Sequence, residues 1–169
     1  SEVLEVKLKN QDDITEKLIL SQFTFAGSSS EMEYGFCRTE YLARKLIKYL
    51  RDQKHGTIRI SGHTDVIGTI TGNQTLSEQR AKEQSEIFRS YLIHLLGFSN
   101  ENELDKWFEE RSFAFEYRGY GSQKPYTVTR RKDNKENEIL IGINELPEGR
   151  IANRRIEIEF IPHGVIQKD

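Results

Sequence analysis

The alternation of apolar and polar residues predicts a series of strands and helices along most of the chain. Positions 4–8 alternate between apolar and charged residues, which indicates a short strand or extended arm within residues 1–16. Residues 18–25 are apolar and favour β-structure. Residues 31–53 predict a helix, because leucine recurs at every fourth position from Leu42 onward.

Further along the chain, the pattern predicts two more helices and three strands. Residues 56–61 favour a strand. Thr75 and Glu78 fit a capping box, which places the start of a long helix at Thr75, and Gly97 is its expected end. A short helix is expected at about residues 100–110. Two further strands are expected at residues 113–119 and 154–161.

These elements form a β-α-β-α-β series with a last strand added. Such a series predicts an α+β fold, a two-layer sandwich in which the helices pack on one face of a small mixed sheet. We assign residues 17–162 to one domain and residues 163–169 to a C-terminal tail. A chain of 169 residues can bury such a core without disulfides or metals.

Residues 121–150 form a long connection between the last two strands. Its middle part, residues 130–138, is strongly charged and contains no apolar residue. We therefore expect an insertion over about residues 130–146 that is a solvated, mobile excursion on the surface. The basic run at residues 130–132 is interpreted as part of that loop, since acidic residues follow it.

Composition narrows the classes of function. The net charge of −2 and the pI near 6.1 give no reason to expect a nucleic-acid partner. Charged residues make up 31% of the chain, the mean hydropathy is −0.68, and no stretch approaches the ~20 apolar residues needed to cross a bilayer. No secretory signal is recognised at the start. Cys37 is the only cysteine, and no Cys/His spacing suits a metal.

Candidate chemistry lies between residues 60 and 80. Asp65 follows a predicted strand, and Arg80 follows it by 15 residues in the predicted helix. An acid and a base at two adjacent element ends can bind a small zwitterion, the acid taking an ammonium and the arginine a carboxylate. We expect both side chains to be exposed. We also expect Arg80 to lie near the helix start, where free amide groups help to bind the same anion.

Simpler roles remain open for these residues. Asp65 can cap a turn or a helix, and Arg80 can pair with Glu78 or Glu83. Asn73 can hold the loop or touch a ligand. His63 is interpreted as structural, because no nucleophile or triad partner stands at a recognisable position.

Three sequence blocks resemble one known family. Gly-His-Thr-Asp at residues 62–65 is followed by matching positions up to Ala81, then by Gly-Tyr-Gly at 119–121, and finally by Asn-Arg-Arg-Ile-Glu-Ile at 153–158. Their content and order resemble the OmpA-like peptidoglycan-binding domain family, the C-terminal domains of OmpA and MotB. The likeness spans about residues 23–160 and implies the same α+β architecture.

The resemblance implies a non-catalytic module, with no cofactor, that binds cell-wall peptidoglycan through the diaminopimelate of the stem peptide. It implies that Asp65 contacts the diaminopimelate ammonium and that Arg80 contacts a stem-peptide carboxylate. Residue 26 departs from the family, which commonly has aspartate where this chain has Ala26. The other ligand-binding positions that it suggests are Thr64, Asn73, Leu76, Arg154 and, through backbone groups, Gly27 and Ser28.

Family members tether envelope components to the wall, so the expected location is the periplasm, attached to the outer membrane through a barrel or lipoprotein. We expect this chain to be the soluble part of a longer, anchored protein. The alternative is the periplasmic part of a MotB-like stator anchored in the inner membrane. The oligomeric state stays open, with a dimer as one option. Two alternative functions remain besides peptidoglycan tethering: a catalytic wall hydrolase, and a protein-interaction domain with a vestigial pocket.

Overall fold

The computed structural model describes residues 16–21, 40–41, 43–48, 51 and 56–162. The predicted arm at positions 4–8, the tail, Ala26, Gly27, Ser28 and Cys37 lie outside these residues. The strands are β1 (Glu16–Ser21), β2 (Gly56–His63), β3 (Phe113–Gly119), β4 (Thr127–Lys132), β5 (Lys135–Leu140) and β6 (Arg155–Pro162). The helices are α1 (described at 40–41, 43–48 and 51), α2 (Ile70–Leu96), α3 (Glu101–Glu110) and α4 (Pro147–Asn153).

Four strands form the main sheet, in the order β1-β6-β2-β3. β2 and β3 are parallel, whereas β6 runs antiparallel to both β1 and β2. The sheet is therefore small and mixed, and the predicted α+β class is confirmed. No helix within the described ranges is both long and apolar enough to span a membrane.

The core lies between one face of this sheet and the helices. Ile60 of β2 faces Ile158 of β6 in register, and both side chains are buried. Full burial of each such side chain contributes about 1.5–3 kcal/mol. The helices cover this face with a set of buried apolar residues: Ala43, Leu46, Ile47, Ala81, Phe88, Leu92, Leu104 and Phe108.

Two glycines let α2 approach the ends of β2 and β3. A Cβ on Gly62 would collide with the backbone of Ser77, and a Cβ on Gly119 would collide with the backbone of Glu78. Ser77 is fully buried, and its hydroxyl accepts a hydrogen bond of 2.8 Å from the N–H of Gly121. This close packing fixes the position of α2 relative to the loop that leaves β2.

The predicted start of α2 at Thr75 is wrong. The helix begins at Ile70, with Thr69 as its N-cap, and the Thr69 hydroxyl accepts a hydrogen bond of 2.9 Å from Gly72 N–H. The weak helix formers Thr71, Gly72 and Asn73 concealed this first turn in the sequence. The predicted end is confirmed, because Gly97 adopts the left-handed conformation at the C-cap.

The segment at residues 130–146, predicted to be a solvated surface excursion, contains regular structure that the sequence did not predict. β4 and β5 form an antiparallel hairpin closed by Asp133 and Asn134, whose φ angles are 53° and 60°. A two-residue hairpin loop favours positive φ at both central positions, and Asp and Asn tolerate that conformation better than most residues. β5 is exposed throughout, so the expected surface location is correct. A short helix, α4, follows the hairpin.

Candidate ligand-binding site

The carboxylate of Asp65 is held at the carboxyl end of β2. Its Oδ1 accepts a hydrogen bond of 2.9 Å from the N–H of Ile67, which forms a tight turn immediately after the strand. Gly68 completes the turn with a φ of 104°. Asp65 is only 5% exposed, so the expectation of an exposed side chain is wrong. The turn therefore fixes the position of the carboxylate.

Arg154 lies beside this carboxylate. Its Nε is 3.5 Å from Oδ2 of Asp65, and its side chain is 45% exposed. Arg154 is the C-cap of α4 and precedes β6, so the last strand begins one residue later than the predicted start at residue 154. The end of α4, and not the strand, brings this guanidinium to the site.

Thr64 and Asn73 support the backbone of Asp65. The Thr64 hydroxyl donates to the Asp65 carbonyl at 2.9 Å, and the Asn73 side-chain amide donates to the same oxygen at 3.2 Å. The Thr64 N–H donates to the carbonyl of Gly121 at 2.8 Å. Both side chains are buried. Asn73 therefore holds the loop in this structure, which is one of the two roles left open by the sequence.

Arg80 does not lie near the start of α2. It is about three turns into the helix, because the helix begins at Ile70, so the prediction that it shares an anion with the free amides is wrong. Arg80 is half-buried and makes no hydrogen bond or ion pair with any residue that the structure describes. The pairing with Glu78 or Glu83 considered from the sequence is absent among these residues. Glu83 instead accepts a hydrogen bond from Gln79.

The helix face relates Arg80 to the carboxylate site. Asn73, which contacts Asp65, precedes Arg80 by seven residues, so the two share one side of α2 about 10 Å apart along its axis. Long helical side chains reach toward the helix N-terminus, which shortens that separation for a guanidinium. Leu76 lies between them in sequence and is partly exposed, as are Ile67 and Ile70 nearby in the chain.

The contacts of His63 are those of a buried structural residue. It is buried and stacks on the ring of Tyr120, with ring centroids 5.3 Å apart. Its Nε2 is 3.2 Å from the Ser61 hydroxyl and 3.6 Å from a carboxylate oxygen of Glu157. Within the described ranges, no group of three or more His, Cys, Asp and Glu is arranged to hold a metal ion.

Arg155 and Asn153 anchor the chain around the site, a role that the sequence analysis did not assign to them. Arg155 is 3% exposed, pairs with Glu157 at 2.9 Å and donates to the carbonyl of Lys124 at 3.0 Å. The Asn153 side-chain oxygen accepts from the N–H of Tyr126 at 2.7 Å. The match of residues 153–158 to a family motif marked these positions, but no local pattern indicated their buried contacts.

One ion pair on the helix-free face of the sheet has a resolved pKa shift. Burial lowers the pKa of Arg59, but the hydrogen bond and the negative charge of Glu116 outweigh that effect. The net pKa of the Arg59 guanidinium is raised above its ordinary value. The Arg59 guanidinium therefore stays protonated at physiological pH.

Comparison with known proteins assigns the family. The model of the OmpA family matches residues 38–138, and the chain belongs to this family. The resemblance found in the sequence is thereby confirmed.

One curated relative is the photosystem I P700 chlorophyll a apoprotein A2 of Gloeobacter violaceus, which is 33% identical over 101 residues. The match covers 60% of this chain, but the chain spans only 9% of the length of that relative.

Solved structures support the fold. Two crystal structures of the periplasmic domain of Helicobacter pylori MotB are similar to this chain at 22% identity. One has a TM-score of 0.57 and is matched over 97% of this chain and 83% of its own. The other has a TM-score of 0.55, with 96% and 89% covered. At this level of identity the likeness concerns the architecture alone.

Proposed function

We propose that this chain is a non-catalytic, peptidoglycan-binding module of the periplasm that tethers an envelope component to the cell wall. Membership of the OmpA family gives the class of function. The observation that carries the proposal for this particular chain is Asp65, a nearly buried carboxylate fixed by its own turn with a guanidinium already beside it. Such a carboxylate is preorganised to accept a cationic group from a ligand.

The ligand that we propose is the diaminopimelate of a stem peptide. Its ammonium takes the place that Arg154 holds at Oδ2 of Asp65, and its carboxylate pairs with Arg80 and with the displaced Arg154. Arginine suits this role because its planar guanidinium can donate two parallel hydrogen bonds to a carboxylate. The partly exposed Leu76 lies in the sequence between Asn73 and Arg80 and offers an apolar surface for the methylene groups of the ligand.

Binding of this kind needs only modest strength at each site. A single-site Kd between about 1 μM and 1 mM corresponds to about −8 to −4 kcal/mol. Many copies facing a lattice of stem peptides gain further affinity by multivalency. No bond-making group is required for this role, and the Asp65 site offers two cations and one carboxylate for binding.

The anchor of the tether is a separate question. We favour attachment to the outer membrane through a barrel or a lipoprotein. The alternative is a stator whose periplasmic part binds the wall, and the architecture shared with the periplasmic domain of MotB is compatible with it. The coding sequence around this domain separates the two, because a stator needs an upstream transmembrane helix and a lipoprotein needs a lipidated cysteine.

The proposed function is tested by incubating the purified chain with isolated sacculi of the diaminopimelate type. We expect co-sedimentation, and we expect a soluble diaminopimelate stem peptide to compete. Failure to co-sediment would remove the proposal. Release of soluble muropeptides during the incubation would instead point to a hydrolase.

A further inference from the structure

The hairpin formed by β4 and β5 carries a basic face. In an antiparallel pair, residues opposite each other share a face, and so do residues two apart on one strand. Lys132 lies opposite Lys135, and Arg130 lies opposite Asn137. The register therefore places Arg130, Lys132 and Lys135 on one face, while Glu136 and Glu138 fall on the other.

The three cations on this face form no ion pair within the described part of the chain. All three side chains are exposed, and none of them makes an ion pair or hydrogen bond with a described residue. Two lysines directly opposite each other repel, so this arrangement disfavours the free hairpin slightly. The positions beside them on the same face hold Asn137, Val128 and Ile139, and no acid. The chain as a whole has a net charge of −2, so the positive charge of this face is opposite in sign to that of the whole chain.

The order of residues along the hairpin identifies the kind of partner. The cations lie next to the turn at Asp133 and Asn134, whereas the exposed apolar residues Ile139 and Leu140 lie at the base. A hairpin that inserts into a membrane needs the apolar residues at its tip. In this hairpin the cations lie at the tip and the apolar residues at the base. This order favours a hydrated polyanion as the partner over a lipid surface.

We propose that the basic face of the β4–β5 hairpin is a second wall contact, which binds free carboxylates of stem peptides neighbouring the one held at Asp65. This inference rests on the proposed function. Formation of a cross-link joins a diaminopimelate amine to a carbonyl carbon of a neighbouring stem peptide and releases that peptide's terminal residue with its carboxylate. One ammonium and one carboxylate are therefore lost together, and the lattice keeps the negative charge that stem peptides have because their carboxylates outnumber their amines. Two contacts on one lattice raise the effective concentration of each.

The contact should depend strongly on salt. The screening length for charges exposed to solvent is about 20 Å at about 20 mM salt and about 6 Å at about 300 mM salt. The experiment measures sacculus co-sedimentation at about 20 mM and about 300 mM salt for the native chain and two triple variants. One variant carries Arg130→Gln, Lys132→Gln and Lys135→Gln. The matched control carries Lys48→Gln, Lys82→Gln and Lys106→Gln, which removes three exposed helical lysines.

We expect the hairpin variant to bind sacculi roughly three- to ten-fold more weakly at low salt, with the difference shrinking at high salt. The control should bind like the native chain. Both variants should bind a soluble monomeric stem peptide with native affinity, because the Asp65 site is untouched. Circular dichroism and thermal unfolding verify that both are folded.

The alternative results overturn the inference in separable ways. Native sacculus binding by the hairpin variant at both salt concentrations overturns the second contact and leaves the proposed function standing. Equal weakening in the control shows a general charge effect and also overturns it. Binding to vesicles of anionic lipid that the hairpin variant alone loses, with sacculus binding intact, assigns this face to a membrane instead. Absence of sacculus binding by the native chain overturns both proposals.

Discussion

The Nε of Arg154 lies 3.5 Å from Oδ2 of Asp65, so the carboxylate that we assign to the ligand ammonium already has a cation beside it. The two oxygens of Asp65 have different partners, because Oδ1 accepts a hydrogen bond from the N–H of Ile67 and Oδ2 faces the partly exposed side chain of Arg154. A ligand that brings both an ammonium and a carboxylate can replace Arg154 at Asp65 and then pair with it. A simple amine must displace Arg154 without that second interaction.

Asp65→Ala should abolish co-sedimentation with sacculi and also lower stability. The substitution leaves the N–H of Ile67 without its acceptor in a nearly buried turn, which costs about 1–3 kcal/mol. Asp65→Asn serves as the control, since its oxygen can still accept that hydrogen bond while the charge is lost. It should unfold close to the native midpoint yet fail to bind. Retained binding by the asparagine variant would show that the charge of Asp65 is not needed for binding.

Arg80→Ala should weaken binding and leave stability within about 0.5 kcal/mol of native, because Arg80 has no polar partner among the described residues. Arg80→Lys should weaken binding as well, since an ammonium cannot reproduce the two parallel hydrogen bonds. Lys82→Ala, two residues further along the same helix, is the matched control. Calorimetry with a soluble stem peptide measures whether Arg80 contributes to affinity. Native affinity in Arg80→Ala would exclude this residue from the site.

Arg154→Gln should have opposite effects on two kinds of ligand. A simple diamine should bind up to about five-fold more tightly, because an exposed ion pair worth up to ~1 kcal/mol no longer competes for Asp65. The diaminopimelate stem peptide should bind more weakly, because one carboxylate partner is gone. Chemical-shift titration of both ligands provides the test. Parallel changes for the two ligands would show that Arg154 does not exchange between Asp65 and ligand.

Replacement of residues 131–138 by a short Gly/Ser linker should preserve the domain fold. β5 is exposed throughout, and the contacts of Asn153 with Tyr126 and Gly142 at the base of the hairpin remain. Changing the loop length alters the closure entropy by only ~0.6 kcal/mol per doubling. Binding of a soluble stem peptide should therefore be native, as judged by calorimetry. Loss of that binding in a folded variant would place the hairpin in the Asp65 site itself.

The parts of the fold that could be predicted are those with a strong local pattern. β2 and β6 alternate or run apolar between turn residues, and Gly97 ends a helix whose buried positions recur at helical spacing. The start of α2 was missed because Thr75 and Glu78 form a good capping box inside a helix that Thr69 already caps. Ser77 of the same helix also packs closely against Gly62 of β2, and no local sequence rule contains this contact.

The hairpin and the geometry of the Asp65 site were harder to predict from the sequence, for related reasons. Asp133 and Asn134 are residue types that favour a turn, but the strands on either side are so charged that their pattern resembles a solvated loop. For the candidate site, the family resemblance suggested Asp65, Thr64, Asn73 and Arg154, and the structure brings these four residues together. Their distances depend on where α4 ends beside the β2 turn, which only the assembled sheet determines.

We propose above that Asp65 and Arg80 together bind the zwitterionic end of diaminopimelate. The most direct measurement is a calorimetric titration of the native chain with two stem peptides that differ only in having diaminopimelate or lysine at the third position. Lysine keeps the ammonium and lacks the adjacent carboxylate. We expect the diaminopimelate peptide to bind at least ten-fold more tightly, a difference of about 1.4 kcal/mol or more. Equal affinities for the two peptides would contradict this proposal.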